Sequence, residues 1–247
     1  ASSDTLLLEN DPDLKYLREV NTKYGSKDFL VLTYTPKDTL LAPETIKNLV
    51  NLKNDLANLS WVNNVITILD VPLLKNNDDP LTERIKNFKT LSSENVDKER
   101  GFEEIINSPI YKEYVISKDG KTTGILVYIK TDKELSDLIR TKNRYLVKRD
   151  RGQLSSEDKN EYKKFLKEYD NYKKLYNQKN HQNINEIRKI IKKHNSTAKI
   201  HLGGIPMIAD DMMTYIKNDI MVFGAGVFLF IVCTLWFVFR SFLWVFI

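Results

Sequence analysis

Residues 27–35, KDFLVLTYT, gather Val, Leu, Phe, Tyr and Thr into a short run closed by Pro36, a pattern that predicts a β-strand. Pro43 then opens a segment in which Ile46, Leu49, Val50, Leu52, Leu56 and Leu59 recur at three- and four-residue steps, as one face of a helix requires. Residues 63–72, NNVITILDVP, return to strand-like composition. Strand, amphipathic helix and strand make a β-α-β unit, most simply half of a split sandwich. After a polar connector at 78–80, one or two helices are expected over 81–107. Residues 113–131, EYVISKDGKTTGILVYIKT, set two strand-like runs around Asp119 and Gly120, a pair favoured in tight hairpin turns. A helix over 133–144 follows, and STAKIHLGGIP at 196–206 supplies a last strand. Strand and helix therefore alternate in both halves, and two α+β subdomains are expected.

Two stretches break this alternation. Over 156–179, Tyr162, Phe165, Leu166, Tyr169, Tyr172, Leu175 and Tyr176 line one helical face, and lysines fill the other. Ile184, Ile187, Ile190 and Ile191 continue on a second helix after NQKNHQN, so a basic helical hairpin is expected at about 145–195. The second stretch is the tail. Residues 220–239 are free of charge, and twenty helical residues reach about 30 Å, the thickness of a bilayer's hydrocarbon core. Arg240 and Ser241 interrupt the run before FLWVFI resumes it. Because Arg at the centre of a span costs about 2.5–3.5 kcal/mol, a turn at Arg240 and the start of a further span at 242–247 are expected. The positive-inside rule puts Arg240 on the cytoplasmic side and the hydrophilic body outside. Gly224, Ala225 and Gly226 would permit close helix packing.

Composition sharpens this division. The mean hydropathy of −0.39 averages a polar body with an apolar tail and describes neither. The net charge of +5 is equally uneven: residues 142–193 hold sixteen Lys and Arg against seven Asp and Glu, leaving the remainder acidic. The sole cysteine, Cys233, lies in the apolar tail, so no intrachain disulfide can form. ASSDTLLLEN, at the start, has neither the basic nor the apolar region of a signal peptide, and the chain is expected to be a piece of a longer protein.

Candidate chemistry is sparse. No Walker loop, GxGxxG, GxSxG or HExxH is present, which argues against an enzyme and gives no catalytic residue, cofactor site or metal site to assign. His181, His194 and His201 lack partners at ligand spacing and are expected at polar surface or strand positions. Asp11 and Asp13 begin like a calcium loop, but Lys15 takes the next ligand position, so a helix cap or turn is expected instead. Asp210 and Asp211, adjacent on a helix, point about 100° apart and are expected to be solvated. Basic residues interleaved with aromatics can bind nucleic acid, but here the two classes occupy opposite faces, as packing requires. The hairpin is expected to dock on a neighbouring domain or subunit.

Four stretches in order, ENDPDLKYLREVNTKYGSKDFLVLTYT, SPIYKEYVISKDGKTTGILVYIKTD, HLGGIPMIADDMMTYIKNDI and the apolar span ending in FVFRS, resemble the RND superfamily of exporters, in particular its MMPL and hopanoid-exporter-like branch. The resemblance implies an α+β fold of two ferredoxin-like porter subdomains with an inserted helical hairpin, followed by a transmembrane helix. It implies a first porter subdomain at 1–75, a helical connector at 76–110, a second porter subdomain at 111–206, a linker and membrane helix at 207–241, and a further span from 242. The implied function is that of the periplasmic, substrate-handling part of a proton-driven, multi-pass exporter of lipids or other hydrophobic compounds in a bacterial inner membrane, with residues 1–218 in the periplasm. The implied partners are the remaining membrane helices and second porter domain of the full-length chain, the bilayer, the hydrophobic substrate, and a homo-oligomeric or periplasmic partner, with no nucleic acid and no cofactor. A membrane-anchored sensor or adaptor, and an RND-related protein-secretion accessory, remain the alternatives.

Overall fold

The computed structural model describes residues 11–24, 28–75 and 88–240. The connector at 78–80, the first part of the 81–107 helical region and the further span from 242 lie outside the described residues. Helix α1 (Pro12–Tyr24) is capped by Asp11, whose carboxylate accepts from the Asp13 amide at 2.8 Å. Strand β1 (Phe29–Pro36) follows, then α2 (Pro43–Ala57), which starts on Pro43 and buries Leu49, Leu52 and Leu56. Strand β2 (Val62–Ile66) is shorter than the expected 63–72 run. Thr67 and Asp70 close a capping box on a 3-10 turn at Ile68–Asp70, which satisfies the backbone locally and ends the strand. Helix α3 (Lys98–Asn107) is capped by Asp97 and leads through a looped segment into β3 (Thr123–Ile129). Helices α4 (Lys133–Asp150) and α5 (Ser156–His194), strand β4 (Ala198–Gly203) and helix α6 (Ile205–Phe239) complete the order.

The strands form one antiparallel sheet in the order β2-β3-β1-β4. Since β1 and β2 both run antiparallel to β3 between them, they are parallel to each other, and α2 is the crossover that joins them. Leu30, Leu32 and Tyr34 of β1, Ile125 and Val127 of β3, and Ile200 of β4 are buried in one core with α2 and the C-terminal part of α5. Among the described residues the strands expected in two subdomains lie in one four-stranded sheet: β3, assigned by sequence order to the second subdomain, inserts between the two strands of the first. Pairing between Phe29 and Tyr128 closes a loop of about a hundred residues, and local patterning carries no trace of it.

Two further expectations are corrected. Of the two runs around Asp119 and Gly120, only the second is a strand. The turn forms, with Gly120 at φ +67° and its amide donating to Ser117 O at 3.0 Å. The first run instead folds back on itself, the Val115 amide donating to Tyr111 O at 2.8 Å, and contributes only isolated bridges such as Ile116 with Thr123. The helical hairpin exists with a different partner. Helix α5 runs unbroken over Ser156–His194, because NQKNHQN holds neither Gly nor Pro and so contains no helix breaker. Its antiparallel mate is α4, across a turn in which Gly152 takes φ +69°. A capping box between Ser155 and Asp158 starts α5.

Ile187 of α5 is fully buried against the sheet. Truncation by Ile187→Ala is expected to lower unfolding free energy by about 2–5 kcal/mol, while exposed Lys163→Ala changes it by less than about 0.5 kcal/mol. Denaturant titration of the detergent-solubilised protein checks both.

Candidate functional site

Where β4 ends, the chain turns into α6 over Gly204, which sits at φ +115°. A Cβ there would lie 3.0 Å from Phe29 O and 3.1 Å from the Leu30 Cα, so only glycine lets the start of α6 press this closely on β1. Pro206 occupies the first turn of α6, where its missing amide costs nothing.

From this corner α6 crosses α5, and polar side chains bolt the two together. Asn180 Nδ2 donates to Pro206 O at 3.0 Å. One turn along α6, Asp210 is buried, and His181 Nδ1 stands 3.0 Å from both of its carboxylate oxygens. An ionised carboxylate only accepts, so Nδ1 is the donor; Asn185 Nδ2, 3.0 Å from Nε2, donates to the far side of the ring. Arg188 reaches the neighbouring carboxylate, its Nη2 at 2.6 and 2.8 Å from the Asp211 oxygens. Asp210 and Asp211, expected to be solvated, are thus corrected to two anchored groups, one buried. Their 100° divergence on α6 is what lets one meet His181 and the other Arg188. The sequence signal was the spacing of His181 and Arg188, seven residues apart on one face of α5.

The same helix is tied at both ends of the sheet. Near its C-terminus His194 Nε2 and Lys193 Nζ each lie 2.8 Å from Asp55 Oδ2 on α2, and these bonds hold the Asp55 carboxyl below the usual carboxylate range. Glu186 accepts from the Trp61 indole at 2.9 Å. Further back, the Tyr172 hydroxyl donates to Asp132, 2.9 Å from both oxygens, while Asp132 also caps α4. Burial, and secondarily the Asp132 and Asp28 carboxylates, push Tyr172 and Tyr176 up to about 12, so both hydroxyls stay protonated and able to donate. His201 is exposed on β4. An open depression of about 690 Å³ lies beside β2, lined by Asn63, Asn64, Tyr128 and Lys130 among others. It borders the edge of the four-stranded sheet.

Beyond Asp211 helix α6 continues into its apolar part, long enough to cross a membrane by length and composition. At Arg240 the backbone turns left-handed, with φ 46°, and the helix ends where the sequence had placed a turn. Nothing in this arrangement offers a nucleophile with its base. What it offers is a mechanical joint: a body-spanning helix pinned to the base of an apolar one.

Removing His181 would strand a buried carboxylate. His181→Ala is expected to cost about 1–3 kcal/mol of stability, and the double variant His181→Ala/Asp210→Ala less than the sum of the single changes, in a thermal-unfolding double-mutant cycle.

Among curated proteins no sequence matches this chain. The MMPL family model matches residues 171–247, which take in most of the sheet-packed part of α5, all of β4 and α6, and every residue of the joint. The MMPL family is one of RND-type membrane exporters, and over about its last third this chain is similar to that family, a likeness that together with the apolar helix supports a membrane transport protein.

Proposed function

We propose that this chain is the periplasmic substrate-handling part of a proton-driven RND-type exporter of the bacterial inner membrane, acting on lipids or other hydrophobic compounds. The observation that carries this reading is the joint. The family-matched segment is also the segment in which the sheet, α5 and α6 are pinned together, so a tilt of α6 in the membrane is delivered to the body as a rigid rotation. The strand order supports a ferredoxin-like porter subdomain. In this reading residues 1–218 lie outside the cytoplasm, as Arg240 on the cytoplasmic side of the span requires. A second porter domain, supplied elsewhere in a longer chain, would form the other wall of the substrate groove.

Residues 220–239 carry no ionisable side chain other than Cys233, so a carboxylate proton relay belongs to other membrane helices of the full-length protein. In this mechanism protonation there moves α6, and His181, Asn185 and Arg188 pass the motion to α5 and the sheet.

The test is efflux of a lipophilic dye from proteoliposomes that hold the full-length protein under an imposed proton gradient. Gradient-dependent efflux is expected, slowed about 2- to 30-fold by Arg188→Ala, which loosens the joint at an exposed residue. Efflux that ignores the gradient, or its absence, contradicts the proposal.

A further inference from the structure

Strand β2 breaks the alternation that a half-buried strand keeps. Over Val62–Val65 its side chains run buried, exposed, exposed, buried, and its pairing with β3 shifts register between Val62 and Asn64. A bulge of this kind re-aims the side chains at it, so Asn63 and Asn64 both reach solvent where strict alternation would bury one. Asn64 Oδ1 accepts from the Val65 amide at 2.9 Å, which leaves its Nδ2 to donate elsewhere. Across the pair, the Lys130 amide donates to Trp61 O at 2.9 Å and its Nζ to Ser60 O at 2.6 Å. The ammonium is thus held against the start of β2 with two of its three protons to spare.

These groups line the depression of about 690 Å³ beside β2, together with Tyr128 and Thr131, whose hydroxyls bond no other described residue. That volume is within the range of about 300–1,000 Å³ usual for ligand pockets. No side chain lining it is acidic. Asp28 and Asp132 line a separate, smaller recess, where Tyr176 stands beside the first and Tyr172 donates to the second.

Apolar surface adjoins this corner. Leu30 and Leu32 of β1 and Ile125 and Val127 of β3 fill the core, so the residues alternating with them form the opposite face of the sheet. Register sets Asn64, Tyr128 and Phe29 in one row across the strands, and Ile66, Leu126, Val31 and Gly203 in the next, about 7 Å further along. The Phe29 and Tyr128 rings stand 6.1 Å apart, and Phe29 is 43% exposed. The second row crosses four strands, about 14 Å, and ends flush at a glycine.

We propose that this corner and the two apolar rows form one binding site for a single-chain amphiphile with a phosphate head. Lys130 supplies the charge, and the Asn63 and Asn64 amides with the Tyr128 and Thr131 hydroxyls supply neutral donors to the three strong acceptor oxygens of the head. The chain lies on Ile66, Leu126 and Val31 and covers apolar surface that the sheet leaves open to water. The inference deepens the exporter reading and rests on it, since it names the chemistry of the compound that the porter body takes.

The chain, with Cys233→Ser and an environment-sensitive fluorophore on Thr33→Cys at the border of the apolar rows, is titrated in phosphatidylcholine nanodiscs with dodecyl phosphate, dodecyltrimethylammonium and inorganic phosphate. A saturable response to dodecyl phosphate is expected, at least about tenfold tighter than to either of the others, weakened about tenfold by Lys130→Gln and restored by Lys130→Arg. Leu126→Asn is expected to weaken it as well. Equal responses to the two amphiphiles, or a response that Lys130→Gln leaves unchanged, show partitioning without a head-group site and overturn the proposal. Inorganic phosphate binding as tightly as dodecyl phosphate reduces the site to a free-anion site and also overturns it, as does the absence of any response. Binding is read without a proton gradient, so gradient-driven dye efflux that persists when binding fails removes this inference alone, whereas binding without efflux removes the exporter reading and leaves the site.

Discussion

Packing of Ile184, Ile187 and Ile191 of α5 against the buried face of the sheet positions nearly everything else in this protein. Those side chains fix α5 against β1 and β4, and the unbroken helix then carries that fixed position in two directions. Toward its C-terminus it brings His194 to Asp55 of α2. Toward its N-terminus it brings His181 and Arg188 to α6, and further out the aromatic row to α4. A break anywhere in 172–190 would uncouple these sites, so the absence of Gly and Pro from α5 has mechanical meaning as well as conformational meaning.

At the other side of the contact, Gly204 and Asp210 make α6 an extension of the body rather than a tether. A flexible linker before the apolar span would let the sheet reorient freely. Here Gly204 lies on the β1 backbone, and a buried carboxylate is held by a histidine whose far nitrogen is also bonded. Such contacts favour one fixed arrangement over a continuum of angles, since a buried charge is tolerated only with its partner in place. A joint of this kind passes motion on rather than absorbing it, which agrees with the likeness of this segment to the MMPL family.

The sequence made β1, α2, β3, β4 and the apolar helix legible, because each carries its own periodicity or punctuation: Pro36 after β1, Pro43 before α2, Gly120 before β3, and charge-free residues over 220–239. It did not show the pairing of β1 with β3, which depends on contacts about a hundred residues apart. It also divided α5 at NQKNHQN, since a polar run looks like a loop until the residues on either side are seen to share one face. The joint was hidden for a related reason. Asp210 and Asp211 look like surface carboxylates on α6 alone, and His181 looks isolated on α5 alone. Only the crossing of the two helices makes them partners.

The central claim is that α5 and the base of α6 move as one body. Pulsed electron-spin distance measurement between labels at Gln178→Cys and Lys217→Cys, both exposed, in membrane-reconstituted full-length protein with Cys233→Ser, tests it at neutral and acidic external pH. The account predicts a single narrow distance that is the same at both pH values. A second population displaced by about 5 Å, a helical turn, would show that the joint slips and that motion is not passed through it.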